Sequence, residues 1–505
     1  MHLCSEPTST EWIYFVSILI GLGSFVVAAE MIRKALRWSP EVTRKLVHIA
    51  TGILIYFAPQ LFNSGIPAIL LAVVFIIINY SAIRFGLLKG MHGTNRRSYG
   101  TVYYPLSFLL LVLIFWETLP QIISIAILVL ALSDAAAAIV GENLRAPRTY
   151  YLTSDKKSLE GSAAMFLVTV VVIAVSLFSS GQGAGMIPGV GAVLSVLIVA
   201  AVVSLFATVW EAISSKGLDN LAIPMSVAFV LHFFFTPSPL HNPVQFSEGI
   251  FFAGVVALLS FTFRFLSASG SAATFLLATV IFGLGGWTWG IPVLVFFVLS
   301  SLLSKLGKEK KAQFHLLFEK SDKRDAGQVA ANGGMAGMVA LGWYVAPAWP
   351  YWYAVYLSSL AAVTADTWGT EIGVLARGKP RSIRTLRPVD TGTSGGVSLA
   401  GILGGALGAL AVAVSGLPWQ GGIGGFGEVG AIVLAGVFAS LVDSFLGATL
   451  QAQFRCVKCG KITERRLHCG EPTAHVSGFL WLDNDVVNWC CAAAGCIFYL
   501  AALGV

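Results

Sequence analysis

Charge is what this chain has least of. Only 11% of its 505 residues are Asp, Glu, Lys or Arg, against 56% hydrophobic, and the mean hydropathy is +0.80. A chain so poor in charge is not a soluble globule. No basic segment precedes the first apolar stretch, and Arg33, Lys34 and Arg37 lie beyond it. This argues against a cleaved signal peptide and predicts a retained first span. No polar stretch is long enough for a separate soluble domain, and no low-complexity segment occurs. Cys4, Cys490, Cys491 and Cys496 show no pairing pattern.

What is abundant is apolar helix. A hydrocarbon core takes roughly 20 apolar residues per helix, and about sixteen spans can be read on that rule. They are centred near residues 22, 53, 74, 109, 130, 170, 197, 227, 256, 279, 297, 337, 363, 404, 440 and 495. The 53 glycines fit close helix packing in lipid. The fold class expected is an all-α polytopic membrane protein.

Basic residues are missing from alternate loops. Lys and Arg are absent from 59–66, 117–121, 180–187, 237–247, 346–350 and 416–427. All 32 fall at 33–45, 84–97, 145–157, 216, 264, 305–324, 377–387 and 455–466. With sixteen spans those positions share one side, the cytoplasmic one, and both termini lie opposite. The net charge of +7 therefore reflects topology, not a nucleic-acid partner.

Two halves follow one plan, residues 1–243 and 244–505. The uncharged TPSPLHNP (236–243) joins them. SDAAAAIVG sets a Gly seven residues after Asp134, and ADTWGTEIG does the same after Asp366. EGS (160–162) follows the first Asp, and TGTSGG (391–396) follows the second. Glu211 lies 77 residues past Asp134, as Asp443 does past Asp366. GLDN (217–220) and WLDN (481–484) open the last span of each half. Eight spans per half would keep both copies in one orientation, a parallel divergent repeat.

Ionisable residues at the membrane boundary mark candidate sites. In the first half these are Arg44, Lys45, His48, Asp134, Lys156, Lys157, Glu160, Glu211, Asp219 and Asn220, with Gly141 and Gly161 allowing close backbone approach. Carboxylates and an Asn suit Mg²⁺. Lysines and arginines suit phosphate. Together they fit phosphoryl transfer to an amphipathic alcohol, a reaction run by positioning and electrostatics. In the second half Asp366, Glu371, Asp443 and Asn484 are candidate metal ligands. Arg384 and Arg387 precede Thr393, Ser394 and Gly395 in DTGTSGG, a candidate phosphate cradle without the GK[ST] of a P-loop. Cys456, Cys459, His468 and Cys469 could supply four ligands to a structural Zn²⁺.

These motifs carry a resemblance. TRKLVHIATG, SDAAAAIVGENL, DKKSLEGS and EAISSKGLDNLAIP, over about residues 40–235, resemble the CTP-dependent polyprenol kinases: dolichol kinase and especially phytol kinase. Ser133 stands where that family commonly has Gly. KRDAGQVAANGG, ADTWGTEIG, TGTSGGVSLAG, VDSFLGATLQ, CVKCGKITE, HCG and WLDNDVVN, over about 245–505, resemble the membrane family that contains the plant phytyl-phosphate kinase. The resemblances imply CTP as donor, with Mg²⁺, at Asp134, Gly141, Lys156, Lys157, Glu160 and Gly161. They imply an isoprenoid alcohol, such as phytol or geranylgeraniol, converted to its monophosphate by the first half. The second half would convert the monophosphate to the diphosphate, in isoprenoid salvage. Two other readings of the residues stay open: a cytidylyltransferase acting on a lipid phosphate, and a polyprenyl-phosphate transporter or flippase.

Overall fold

A computed structural model describes residues 2–85, 98–182, 186–236, 242–306, 323–376, 378–419 and 425–504. Basic residues within 86–97 and 307–322, Arg377, and the junction 237–241 lie outside these. The chain divides into two compact units, Met1–His241 and Asn242–Val505.

Unit 1 contains α1 (Ser9–Leu36), α2 (Pro40–Tyr56), α3 (Gly65–Phe85), α4 (Gly100–Phe115), α5 (Pro120–Asn143), α6 (Leu159–Ser179), α7 (Ala192–Ile213) and α8 (Asp219–Phe235). Local chemistry sets their starts. Thr8 and Glu11 form a capping box on α1, and Ser39 caps α2 with Pro40 at its first position. The most enclosed of the long helices is α5: 67% of its apolar window is buried. It packs on α2, α6 and α8. Its hydrogen bonding loosens into one π-turn over Leu130–Asp134.

Unit 2 contains α9 (Pro243–Thr262), α10 (Ala268–Lys305), α11 (Ala326–Val345), α12 (Trp352–Leu375), α13 (Leu399–Gly416), α14 (Phe426–Thr449) and α15 (Asn484–Leu503). Its centre is α12, buried without a break from Tyr353 to Ala365. A helix buried all round must be largely apolar all round, and α12 carries no charge until Asp366. Tyr356 and Trp289 anchor the surrounding core.

Each of the sixteen expected centres falls inside a helical segment; 279 and 297 lie on the two segments of α10, which meet at Gly286. Its φ of +59° and ψ of −151° are not helical, a conformation open to glycine at little cost. Among the described residues, ten helices are long and apolar enough to cross a membrane. Gly100–Phe115 and Asp219–Phe235 are apolar but shorter.

The expectation of an all-α chain is corrected. The fold is mostly helical, but residues 453–477 form a four-stranded antiparallel sheet. Two-stranded ladders also precede α6 and α13. They pair β1 (Thr149–Tyr150) with β2 (Lys157–Ser158), and β3 (Arg381–Ser382) with β4 (Gly396–Val397). The sheet comprises β5 (Gln453–Cys456), β6 (Ile462–Thr463), β7 (Leu467–His468) and β8 (Glu471–Ser477), in spatial order β6-β5-β8-β7. Most of these strands have two to four residues, too few to show an alternating pattern.

Candidate functional site

Unit 1 holds a cavity of about 1460 Å³. Its lining combines a polar group, Asp134, Lys157, Glu211 and Asp219, with apolar residues that include Leu19, Leu22 and Val26 of α1 and Phe75 and Ile78 of α3.

The polar part of the lining is built around one ammonium group. Lys157 lies at the end of the β1–β2 ladder, just before the α6 helix start. Its Nζ is 2.6 Å from Glu211 Oε1 and 3.7 Å from Asp219 Oδ2. Asp134 is within electrostatic reach of the same lysine. Burial disfavours the Lys157 charge, but Glu211, Asp219 and Asp134 outweigh it and hold the ammonium above the ordinary lysine range. Three carboxylates around one lysine leave an excess of negative charge, and all of these donors are hard oxygens. That set fits a divalent cation such as Mg²⁺.

Neighbouring groups fix this arrangement. Asn220 Nδ2 donates to Asp219 Oδ1 at 3.1 Å. Ser162 Oγ lies 3.4 Å from Glu211 Oε2 and 2.6 Å from the Tyr150 hydroxyl. His48 Nε2 lies 3.2 Å from the Leu130 carbonyl and 3.9 Å from Asp134 Oδ2. A carbonyl only accepts, so Nε2 carries the hydrogen. The His48 ring meets the Tyr104 ring edge-on at 4.7 Å. The Tyr104 hydroxyl is buried without a hydrogen-bond partner among the described residues, and Tyr104 lines the cavity.

Glycine lets two backbones close the site. Ser158 caps α6, accepting from the Gly161 N–H at 3.1 Å. A Cβ on Gly161 would meet the Ala137 carbonyl at 2.8 Å, and one on Gly141 would meet Ser158 Oγ at 2.7 Å. Here α5 and α6 touch through main chain.

Unit 2 repeats this joint. Ser398 caps α13, accepting from the Gly401 N–H at 3.1 Å. A Cβ on Gly401 would meet the Gly369 carbonyl at 2.9 Å, and one on Gly373 would meet Ser398 Oγ at 3.3 Å. Ser158-Leu159-Glu160-Gly161 thus has its geometric counterpart in Ser398-Leu399-Ala400-Gly401, not in TGTSGG. The structure corrects that part of the expected alignment. The position equivalent to Lys157 is Val397.

The carboxylates of unit 2 are arranged differently. Asp366 on α12 and Asp443 on α14 face each other within interaction range. The two side chains are hydrogen-bonded to each other, while Asp443 Oδ1 is buried without a hydrogen-bond partner among the described residues. Glu371 interacts with Arg324, while Asn484 begins α15. Arg384 and Arg387 are exposed. Thr393, Ser394 and Gly395 form a turn packed on α14. A Cβ on Gly395, whose φ is +75°, would lie 2.4 Å from Ala448 Cβ, and Ser394 Oγ lies where a Gly447 Cβ would go. A cavity of about 60 Å³ lies elsewhere in the unit, lined by Arg324, Gln328 and Asn332 among others.

Residues 251–496 match the family described as integral membrane protein DUF92. Protein PGR of Arabidopsis thaliana is 31% identical over 48% of this chain and 90% of its own length. A phytol kinase of Synechocystis sp. is 34% identical over 41% of this chain and 86% of its own length. The chain belongs to the DUF92 integral membrane family and is related to the phytol kinases. A probable phytol kinase of Triticum aestivum is 28% identical over 42% of the chain and 75% of its length. No solved structure matches.

Within this DUF92 protein, the cavity gathers Arg44, Lys45, His48, Asp134, Gly141, Lys156, Lys157, Gly161, Glu211, Asp219 and Asn220. Glu160 is not among them; it accepts from the Arg148 N–H at 2.9 Å and so holds the preceding loop. Arg44 pairs with Glu41, and Lys45 pairs with Glu142 at 2.7 Å. Lys156 is exposed at the cavity and has no ion-pair partner among the described residues. Sequence reasoning missed Tyr104 and Ser158, which are uncharged. The SLEG and SLAG tetrapeptides were the available signal for Ser158.

Proposed function

We propose that unit 1 transfers the γ-phosphoryl group of CTP to an isoprenoid alcohol such as phytol or geranylgeraniol. The observation that carries this reading is the Lys157 cluster with three carboxylates, set in a cavity that apolar side chains of α1 and α3 also line. The relatives named phytol kinase support the alcohol substrate. Lys156 at the mouth and Lys157 within supply charge for phosphate oxygens. Asp134, Glu211 and Asp219 would hold Mg²⁺, which neutralises charge on the transferring group. The alcohol oxygen forms a bond to the γ-phosphorus as the bond to the bridging oxygen of CDP breaks. The hydroxyl proton passes to a carboxylate of the cluster. Tyr104 orients the alcohol, and the isoprenoid tail lies along Leu22, Val26, Phe75 and Ile78.

Unit 2, on this reading, acts on the monophosphate at Asp366 and Asp443, giving the diphosphate for isoprenoid salvage. The chain crosses the membrane sixteen times as two parallel repeats, with both sites on the cytoplasmic side. The matching Ser158–Gly161 and Ser398–Gly401 joints support common descent of the units.

The test uses membranes carrying the full chain, given phytol and labelled CTP. γ-label should appear in phytyl phosphate, and α-label should not. Label transfer undiminished in Asp134→Asn would overturn the site. Asp366→Asn should accumulate monophosphate; a normal yield of diphosphate would remove the role of unit 2.

A further inference from the structure

The small sheet of unit 2 poses a separate problem. A ribbon with strands this short cannot bury enough apolar surface to hold itself together. Its interior is Phe454, Cys456, Thr463 and His468. What it has in place of a core is a cluster of ligating atoms. One from each of Cys456, Cys459, His468 and Cys469 lies within 4.8 Å of all the others.

We infer that these four residues bind one Zn²⁺, and that the metal is what folds the ribbon. The site goes beyond the kinase reading and does not depend on it. Zn–S bonds of roughly 2.3 Å and Zn–N bonds of roughly 2.0–2.1 Å give a tetrahedron whose edges are about 3.6 Å. His468 Nδ1 lies 3.6 Å from Cys459 Sγ and 3.1 Å from Cys469 Sγ, close to that edge. The backbone is shaped for this. The Cys459 N–H points at Cys456 Sγ at 3.5 Å, and the chain then turns through Gly460 at φ +72°. The His468–Cys469 pair turns likewise through Gly470 at φ +80°, with Cys469 itself at φ +55°. Each ligand pair is therefore followed by a left-handed glycine that swings the chain away from the metal. His468 and Cys456 are buried, and Cys459 and Cys469 form the rim.

Charge agrees. Three thiolates and Zn²⁺ carry a net negative charge. The ribbon carries Arg455, Lys458, Lys461, Arg465 and Arg466, against Glu464 and Glu471.

The position of the ribbon gives the metal a consequence. The Ala452 N–H donates to the Leu482 carbonyl at 3.0 Å, and the Phe479 N–H donates to the Leu450 carbonyl at 2.9 Å. The sheet thereby ties the end of α14, which carries Asp443, to the start of α15, where Asp483 caps the helix.

Full-length protein purified without chelator should contain about one zinc per chain by elemental analysis. Replacement by Co²⁺ should give thiolate charge-transfer and tetrahedral d–d absorption. A Cys456→Ser/Cys459→Ser variant should lose the metal. Because that variant could fail to fold, the wild-type protein is also titrated with a mercurial, which should release zinc as thiols are blocked. Wild-type protein with less than roughly a tenth of an equivalent of zinc, or with Cys456 and Cys459 joined in a disulfide by mass spectrometry, overturns the site. So does cobalt absorption without thiolate charge transfer.

Discussion

Lys157 stands 2.6 Å from Glu211, and the same place ahead of the capping serine of unit 2 is held by Val397. Two joints of one shape thus present opposite chemistry. Unit 1 gathers acids around a cation, whereas unit 2 sets Asp366 against Asp443.

Replacing Lys157 by Met should abolish alcohol phosphorylation. It should also destabilise unit 1 by about 3 kcal/mol, because Glu211 and Asp219 lose their counter-charge in a largely buried setting. Adding Glu211→Gln should restore part of the stability and none of the activity. Thermal unfolding in detergent, alongside the labelled-CTP assay, separates the two effects. Full activity in Lys157→Met would count against the cluster.

The glycine joints can be tested against a neutral control. Gly161→Ala places a methyl 2.8 Å from a carbonyl oxygen, and Gly401→Ala places one at 2.9 Å. Each should cost about 1–3 kcal/mol, since neither partner is a movable side chain. Gly23→Ala meets nothing within 4 Å and should leave the melting temperature unchanged or slightly raised. Equal melting temperatures for all three would remove the close-contact argument.

Tyr104→Phe removes a hydroxyl that has no hydrogen-bond partner among the described residues. Stability should hold or rise slightly. Turnover of the alcohol should fall by about a hundredfold if that hydroxyl donates to a reacting group. An unchanged rate would make Tyr104 a packing residue.

The pH dependence has a definite sign. Lys157 is held above its ordinary range by its carboxylate neighbours, despite burial. Its contribution to stability is therefore complete below the unfolded lysine value and fades only as pH climbs past it. The carboxylates around it are costliest when ionised without that counter-charge, so between pH 6 and 9 the stability lost on Lys157→Met should hold or grow, and not shrink. Melting curves of both proteins across that range check this; a difference that shrinks by pH 8 would contradict it.

Much of the unit 1 site was legible because an acid in an apolar run is expensive and therefore conspicuous. Asp134, Glu211, Asp219 and Asn220 stood out for that reason. Ser158 and Tyr104 carry no charge and left no such mark. The joint of unit 2 was misaligned because the eye follows a glycine-rich string such as TGTSGG. The constraint lay in one capping serine and one glycine three residues on. The sheet was hidden because its order comes from long-range pairing and clustered ligands, which short strands do not announce.

The π-turn over Leu130–Asp134 bears on heredity as well as chemistry. A wide turn holds one residue more than a regular one, so it absorbs an insertion while the residues on either side face as they would in an unbroken helix. A single-codon deletion there would tighten the turn and keep Asp134 aimed at Lys157, whereas the same deletion in a regular turn of α5 would rotate every residue beyond it by roughly 100°. A descendant of this gene that drops a codon at the wide turn keeps its parts in phase; one that drops a codon elsewhere in the helix does not.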